Sequence, residues 1–144
     1  MANHLRLFTK PARDGLELAA IAAVAIAIAG ILHLVIAFQA ASLSLLAKEI
    51  SVLFGLPQLF WAIPTLQQWG KKWYLVGAIW NAGLIGIFFA TLVPNPVMGN
   101  PVLPIGIDVA VQALQWMFIG TSIAMLIRER RRKRLHPEEA HDMR

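Results

Sequence analysis

The chain has no cysteine, which excludes disulfides, thiolate metal ligands and thiol nucleophiles, and leaves the redox state of its compartment unmarked. A glycine-rich phosphate loop, a nucleophile elbow, a His-Glu-x-x-His helix and a pair of haem histidines are absent too. Nucleotide-binding, hydrolase, zinc-protease and haem-carrying classes therefore have no anchor in it. Charge is sparse: 15% of the 144 residues are charged and 58% are apolar, with a mean hydropathy of +0.61. That is too apolar for a soluble domain of this size and too short for a large enzyme core, so the composition points to one membrane domain. The net charge of +5 comes from cations at the ends of apolar runs rather than among surface aromatics. Membrane topology and anionic lipid explain it, and no nucleic-acid partner is expected.

What is present is four apolar stretches. The last, Ile105 to Ile127, is long enough at 1.5 Å per residue to cross a hydrocarbon core of about 30 Å. It is closed by Arg128, Arg130, Arg131, Arg132, Lys133 and Arg134, a dense positive run that resists translocation and binds anionic lipid as a by-product. The first span is expected over 16–39, with Asp14 and Glu17 as a capping-box variant at its start and small residues from Ala19 to Gly30 inviting a close neighbour. The second is expected over 44–66, kinked at Pro57 and Pro64. Trp69, Trp73 and Tyr74 around Lys71 and Lys72 read as an interfacial belt. The third span is expected over 73–93, with Ala78, Ala82, Gly86 and Ala90 as a packing seam, and the fourth over 105–127.

Between the last two spans, residues 94–104 carry four prolines and predict an ordered, extended cap. Residues 1–14 form a short interfacial lead, and 128–144 a polar, basic tail in which His136 and His141 read as solvated. Of the thirteen cations, the lead holds three, the loop after the second span two and the tail seven, leaving only Lys48 on the other side. The pattern predicts an all-α, polytopic protein of the cell membrane, four transmembrane helices in an antiparallel bundle, with both termini cytoplasmic.

Polar residues inside these spans are the candidates for chemistry. His33, Glu49 and Asp108 each fall about 5 to 8 Å below the outer surface, so an imidazole and two carboxylates from three helices share a layer. A zinc or copper ion is the cofactor such a set implies. In the plainer reading, Lys48 pairs with Glu49 or Asp108, and His33 bonds a carbonyl. Gln112 and Gln115 follow Asp108 at i+4 and i+7 and extend its polar face inward. Gln58 and Asn81 fall at equal depth, about 12 Å from the cytoplasmic face, and are expected to hydrogen-bond each other as helix glue. Trp116 and Phe118 read as packing or lipid contacts.

Gly30-Ile31-Leu32-His33-Leu34, Phe54-Gly55 with Gln58 and Trp61-Ala62, Gly77 with Asn81, and a Gly/Pro loop leading to Asp108 follow in an order that resembles a family of uncharacterised small four-helix prokaryotic integral membrane proteins. The resemblance implies the same four-helix fold and marks His33, Gln58, Asn81 and Asp108. In that family a second histidine follows the first within two turns, where this chain reads Phe38-Gln39-Ala40-Ala41, and an arginine before the proline loop is missing here.

Two functions are carried forward. The first is a non-catalytic integral subunit that packs against other membrane subunits of a larger complex, such as a respiratory or copper-dependent oxidoreductase of the ammonia/methane monooxygenase type. Its support is abundant small-residue seams without a complete catalytic set. The second is a binding or transfer module for a metal ion or small polar ligand at the outer face, using His33, Glu49 and Asp108. An enzyme ranks last, because no further reactive group is present.

Overall fold

The computed structural model describes residues 10–39, 45–94, 104 and 106–135. Four helices make up the chain in order: α1 (Lys10–Gln39), α2 (Leu45–Leu66), α3 (Lys71–Thr91) and α4 (Gly106–Leu135). Each contains a stretch long and apolar enough to cross a membrane: Gly15–Phe38, Lys48–Leu66, Lys71–Thr91 and Gly106–Arg131. They pack as a bundle, so the chain is an all-α, multi-pass membrane protein whose surface contacts lipid.

Three boundaries differ from the sequence expectation. α1 begins at Lys10, so Asp14 lies inside the helix rather than capping it; Pro11 is tolerated because a first-turn residue has no N–H bond to lose. α3 begins at Lys71, two residues early. α4 continues through the basic run to Leu135, about two turns beyond the expected end, as Arg and Lys are good helix formers and cations suit a helix C-terminus. The expected lead before residue 10, the cap over 95–103, His136 and His141 lie outside the described residues, as do the side chains of Arg132 and Lys133.

α1 packs against α2 and α4, and α3 against α4 and more lightly α2, so α2 and α4 stand at opposite corners. Consecutive helices run antiparallel. At the α1–α2 crossing, a Cβ built on Gly30 would stand 2.8 Å from the Gly55 carbonyl oxygen, and one on Gly55 would stand 2.8 Å from that of Gly30. Only two glycines allow the backbones to meet this closely. The small residues of α1 line the same interior: Ala19, Ala22, Ala23, Ala25 and Ala29 are buried. By contrast, Ala82, Gly86 and Ala90 are exposed on α3, where Tyr74, Gly77, Asn81, Leu84 and Ile85 face inward. The expected seam therefore points away from the bundle.

α2 runs through both prolines as one helix. It ends in a Schellman turn, with Trp69 N–H donating to Pro64 O at 3.0 Å and Gln68 N–H to Thr65 O at 3.2 Å, Gln68 taking the left-handed φ of 52°. This end also carries the start of α1, Lys71, Lys72 and the arginines of α4, and is called the basic end below; the opposite one, where α3 runs into Pro94, is the proline end. Trp61, Trp69 and Trp73 cluster at the basic end, with ring centroids 5.8 Å (Trp61–Trp73) and 5.2 Å (Trp69–Trp73) apart. Tyr74 is buried rather than belted at the surface: it joins Ala19, Ala22, Ile26, Phe118 and Met125 in the apolar core of this half.

Candidate polar site in the bundle interior

The middle of the bundle has a different interior. Gln58, Asn81 and Gln115, from α2, α3 and α4, are wholly buried. Gln58 Nε2 donates to Asn81 Oδ1 at 3.0 Å, and Asn81 Nδ2 donates to Gly77 O at 2.8 Å, so the expected amide pair forms and Asn81 is satisfied on both sides. Among the described residues, Gln112 Oε1 and both amide atoms of Gln115 are buried without a hydrogen-bond partner, and Gln58 Oε1 has none beyond the neighbouring His33 ring. Gln115 therefore does not hold helices together by hydrogen bonding. An unmet buried polar group costs about 1 to 3 kcal/mol, with no water in the surrounding hydrocarbon to relieve it.

His33 lies at the margin of this layer. Its Nδ1 is 3.0 Å from Ala29 O, which can only accept, so Nδ1 carries the proton and Nε2 of the neutral ring is left as an acceptor. The ring stands edge-on to Phe54, at 6.0 Å between centroids, within electrostatic reach of Gln58 and Asp108. Asp108 sits in the first turn of α4, where the helix dipole favours a carboxylate. Of the three residues expected to share a site, the structure thus brings His33 and Asp108 into one neighbourhood. Glu49 is exposed and lines a groove of about 500 Å³ with Ala37, Phe38, Lys48, Val52, Leu53 and Leu56. Among the described residues no group of three or more His, Asp or Glu is placed to hold a metal ion.

A second buried polar layer, which the sequence reading missed, lies nearer the basic end. Thr65 and Ser122 are wholly buried, and neither hydroxyl oxygen has a partner in the protein. Hydroxyls elsewhere in the spans satisfy themselves: Thr121 Oγ1 donates to Met117 O at 2.8 Å and Thr91 Oγ1 to Phe88 O at 2.7 Å. The signal in sequence was spacing, since Thr65 follows Gln58, and Ser122 follows Gln115, by two helical turns.

Between the layers stand Trp61 and Phe118. Phe118 is wholly buried, whereas Trp116 is 55% exposed toward lipid. Both inner rings press on α3 at Gly77, where a Cβ would lie 2.5 Å from Trp61 Nε1 and 3.0 Å from Phe118 Cζ. The missing side chain is the notch that admits them. Trp61 Nε1 also donates to Trp73 O at 2.9 Å, which fixes its indole.

Compared with protein-family models, curated proteins and solved structures, the chain finds no match.

Proposed function

We propose that the middle of the bundle is a binding site for a small hydrogen-bonding solute, reached from the proline end and lined by Gln58, Gln112 and Gln115, with Asn81 bracing Gln58 and with His33 and Asp108 at its margin. The observation that carries this reading is Gln115, both of whose amide atoms are buried without a hydrogen-bond partner among the described residues, with Gln112 Oε1 in the same state one turn nearer the proline end. A solute offering both donors and acceptors recovers the free energy those atoms lose on burial. Helix glue accounts for the Gln58–Asn81 bond but not for Gln115, which bonds to no other helix. Thermal unfolding in detergent with a panel of formamide, acetamide, methylurea and glycerol tests it. At least one solute should raise the Tm of the wild type and not that of Gln115→Leu; no shift with any of them overturns the site.

The finer topology belongs to the same proposal: the basic end faces the cytoplasm, so the site opens outward. Its support is that the described cations except Lys48 all gather at that end.

A second reading, an integral subunit seated against partner helices, is favoured by the outward ladder of Ala82, Gly86 and Ala90. A Cβ at Gly83 or Gly86 would meet nothing within 4 Å, leaving the helix backbone open to a neighbour. Native extraction in mild detergent followed by mass spectrometry should then recover a second integral polypeptide. A lone monomer or a pure homo-oligomer overturns this reading.

A further inference from the structure

α2 and α4 carry the same interior pattern in the same direction. α2 reads Gln58-Leu59-Phe60-Trp61-Ala62-Ile63-Pro64-Thr65 and α4 reads Gln115-Trp116-Met117-Phe118-Ile119-Gly120-Thr121-Ser122: an amide, an aromatic ring three residues on and a hydroxyl four residues beyond that. The two helices occupy opposite corners, and the amides and hydroxyls of both are wholly buried, so the pattern on each points into the bundle rather than toward lipid. The axis is therefore lined, from the proline end to the basic end, by an amide layer, an aromatic layer and a hydroxyl layer. Amide and hydroxyl layers lie about 10 Å apart, seven residues at 1.5 Å each.

We propose that this axis is a path across the membrane for a small neutral polar solute, with Phe118 as its movable barrier. The proposal rests on the solute site above and extends it from a closed pocket to a route. Three observations carry it. Polar side chains without partners lie on both sides of the aromatic layer, as stepping points must and as a dead-end pocket does not require. The two rings are unequal: Trp61 is tied to Trp73 O and packed edge-to-face on Phe60 at 5.8 Å, whereas Phe118 has no polar atom to tie it and rests against the Gly77 notch. Gln58, Gln115, Trp61, Phe118, Thr65 and Ser122 carry no formal charge, so these side chains do not offset the desolvation of an ion crossing an apolar constriction. A neutral molecule of the urea or glycerol class fits that chemistry.

The absence of native cysteine makes the test clean. Gln115→Cys and Ser122→Cys are introduced singly, each with and without Phe118→Ala or the milder Phe118→Leu, in oriented vesicles exposed on one side to a charged methanethiosulfonate. Gln115→Cys should react from the proline end and Ser122→Cys only from the basic end, and the charged reagent should not pass between the two layers in either Phe118 variant. In parallel, urea-driven swelling of proteoliposomes should exceed that of empty vesicles and rise by about tenfold with Phe118→Ala. If Gln115→Cys reacts from the proline end but urea flux equals that of empty vesicles in the wild type and in both Phe118 variants, the path is overturned and the site stands. If Gln115→Cys itself is inert from either side, both fall.

Discussion

At the scale of single residues, the contrast between Asn81 and Gln115 separates structural polarity from functional polarity. Both are wholly buried amides, yet Asn81 bonds to Gln58 and to Gly77 O while Gln115 bonds to nothing. Asn81→Ala leaves Gln58 Nε2 without an acceptor and should cost about 1 to 2 kcal/mol of stability, read by unfolding in mixed detergent. Gln58→Leu combined with Asn81→Leu should cost less than the two single substitutions added together, because no orphan is left in the double variant. Additive losses would mean that the 3.0 Å bond contributes nothing. The Gln58–Asn81 pair was legible in sequence because depth follows directly from the rise per residue along each helix. The isolation of Gln115 was not legible, since whether a buried amide finds a partner depends on rotamers and neighbours that spacing leaves open.

At the scale of the helix, periodicity decides that a helix forms and tertiary packing decides which face it buries. The alanine stripe of α1 and the Ala78–Ala90 ladder of α3 look alike in sequence, and only the first packs inside the bundle. The reason lies in what competes for the interior of α3: Gly77 must face inward to admit Trp61 and Phe118, and Asn81, one turn on, must face inward to meet Gln58. Those two positions set the rotation of the helix and turn Ala82, Gly86 and Ala90 outward. A partner helix seated there should be lost in Gly86→Leu without harm to the bundle, so native mass spectrometry should show dissociation while the unfolding free energy stays within about 0.5 kcal/mol of the wild type. Retention of the partner with Leu at position 86 would place the contact elsewhere. Helix ends were the least legible feature, since neither Pro11 nor the α4 arginines break a helix at the positions they occupy.

At the scale of the whole molecule, the charges divide along the bundle axis. Lys71, Lys72 and the arginines of α4 stand at the end nearest the cluster of Tyr74, Ile26 and Met125 and the hydroxyls of Thr65 and Ser122, while the unpartnered amides lie nearer the middle. The four spans were legible because lipid imposes a minimum apolar length on each. The three-residue meeting of His33, Glu49 and Asp108 was not, because equal depth says nothing about rotation: Glu49 shares the layer and faces outward onto a groove. Sidedness is the consequence that can be measured directly. Positive residues are retained in the cytoplasm during insertion, so single cysteines replacing Lys71 and Arg134 should both be blocked by an impermeant maleimide only after the cell is opened, and one replacing Lys48 should react in intact cells. Labelling of positions 71 and 134 from opposite sides would break the even number of crossings, and with it the common direction of α2 and α4 on which the path depends.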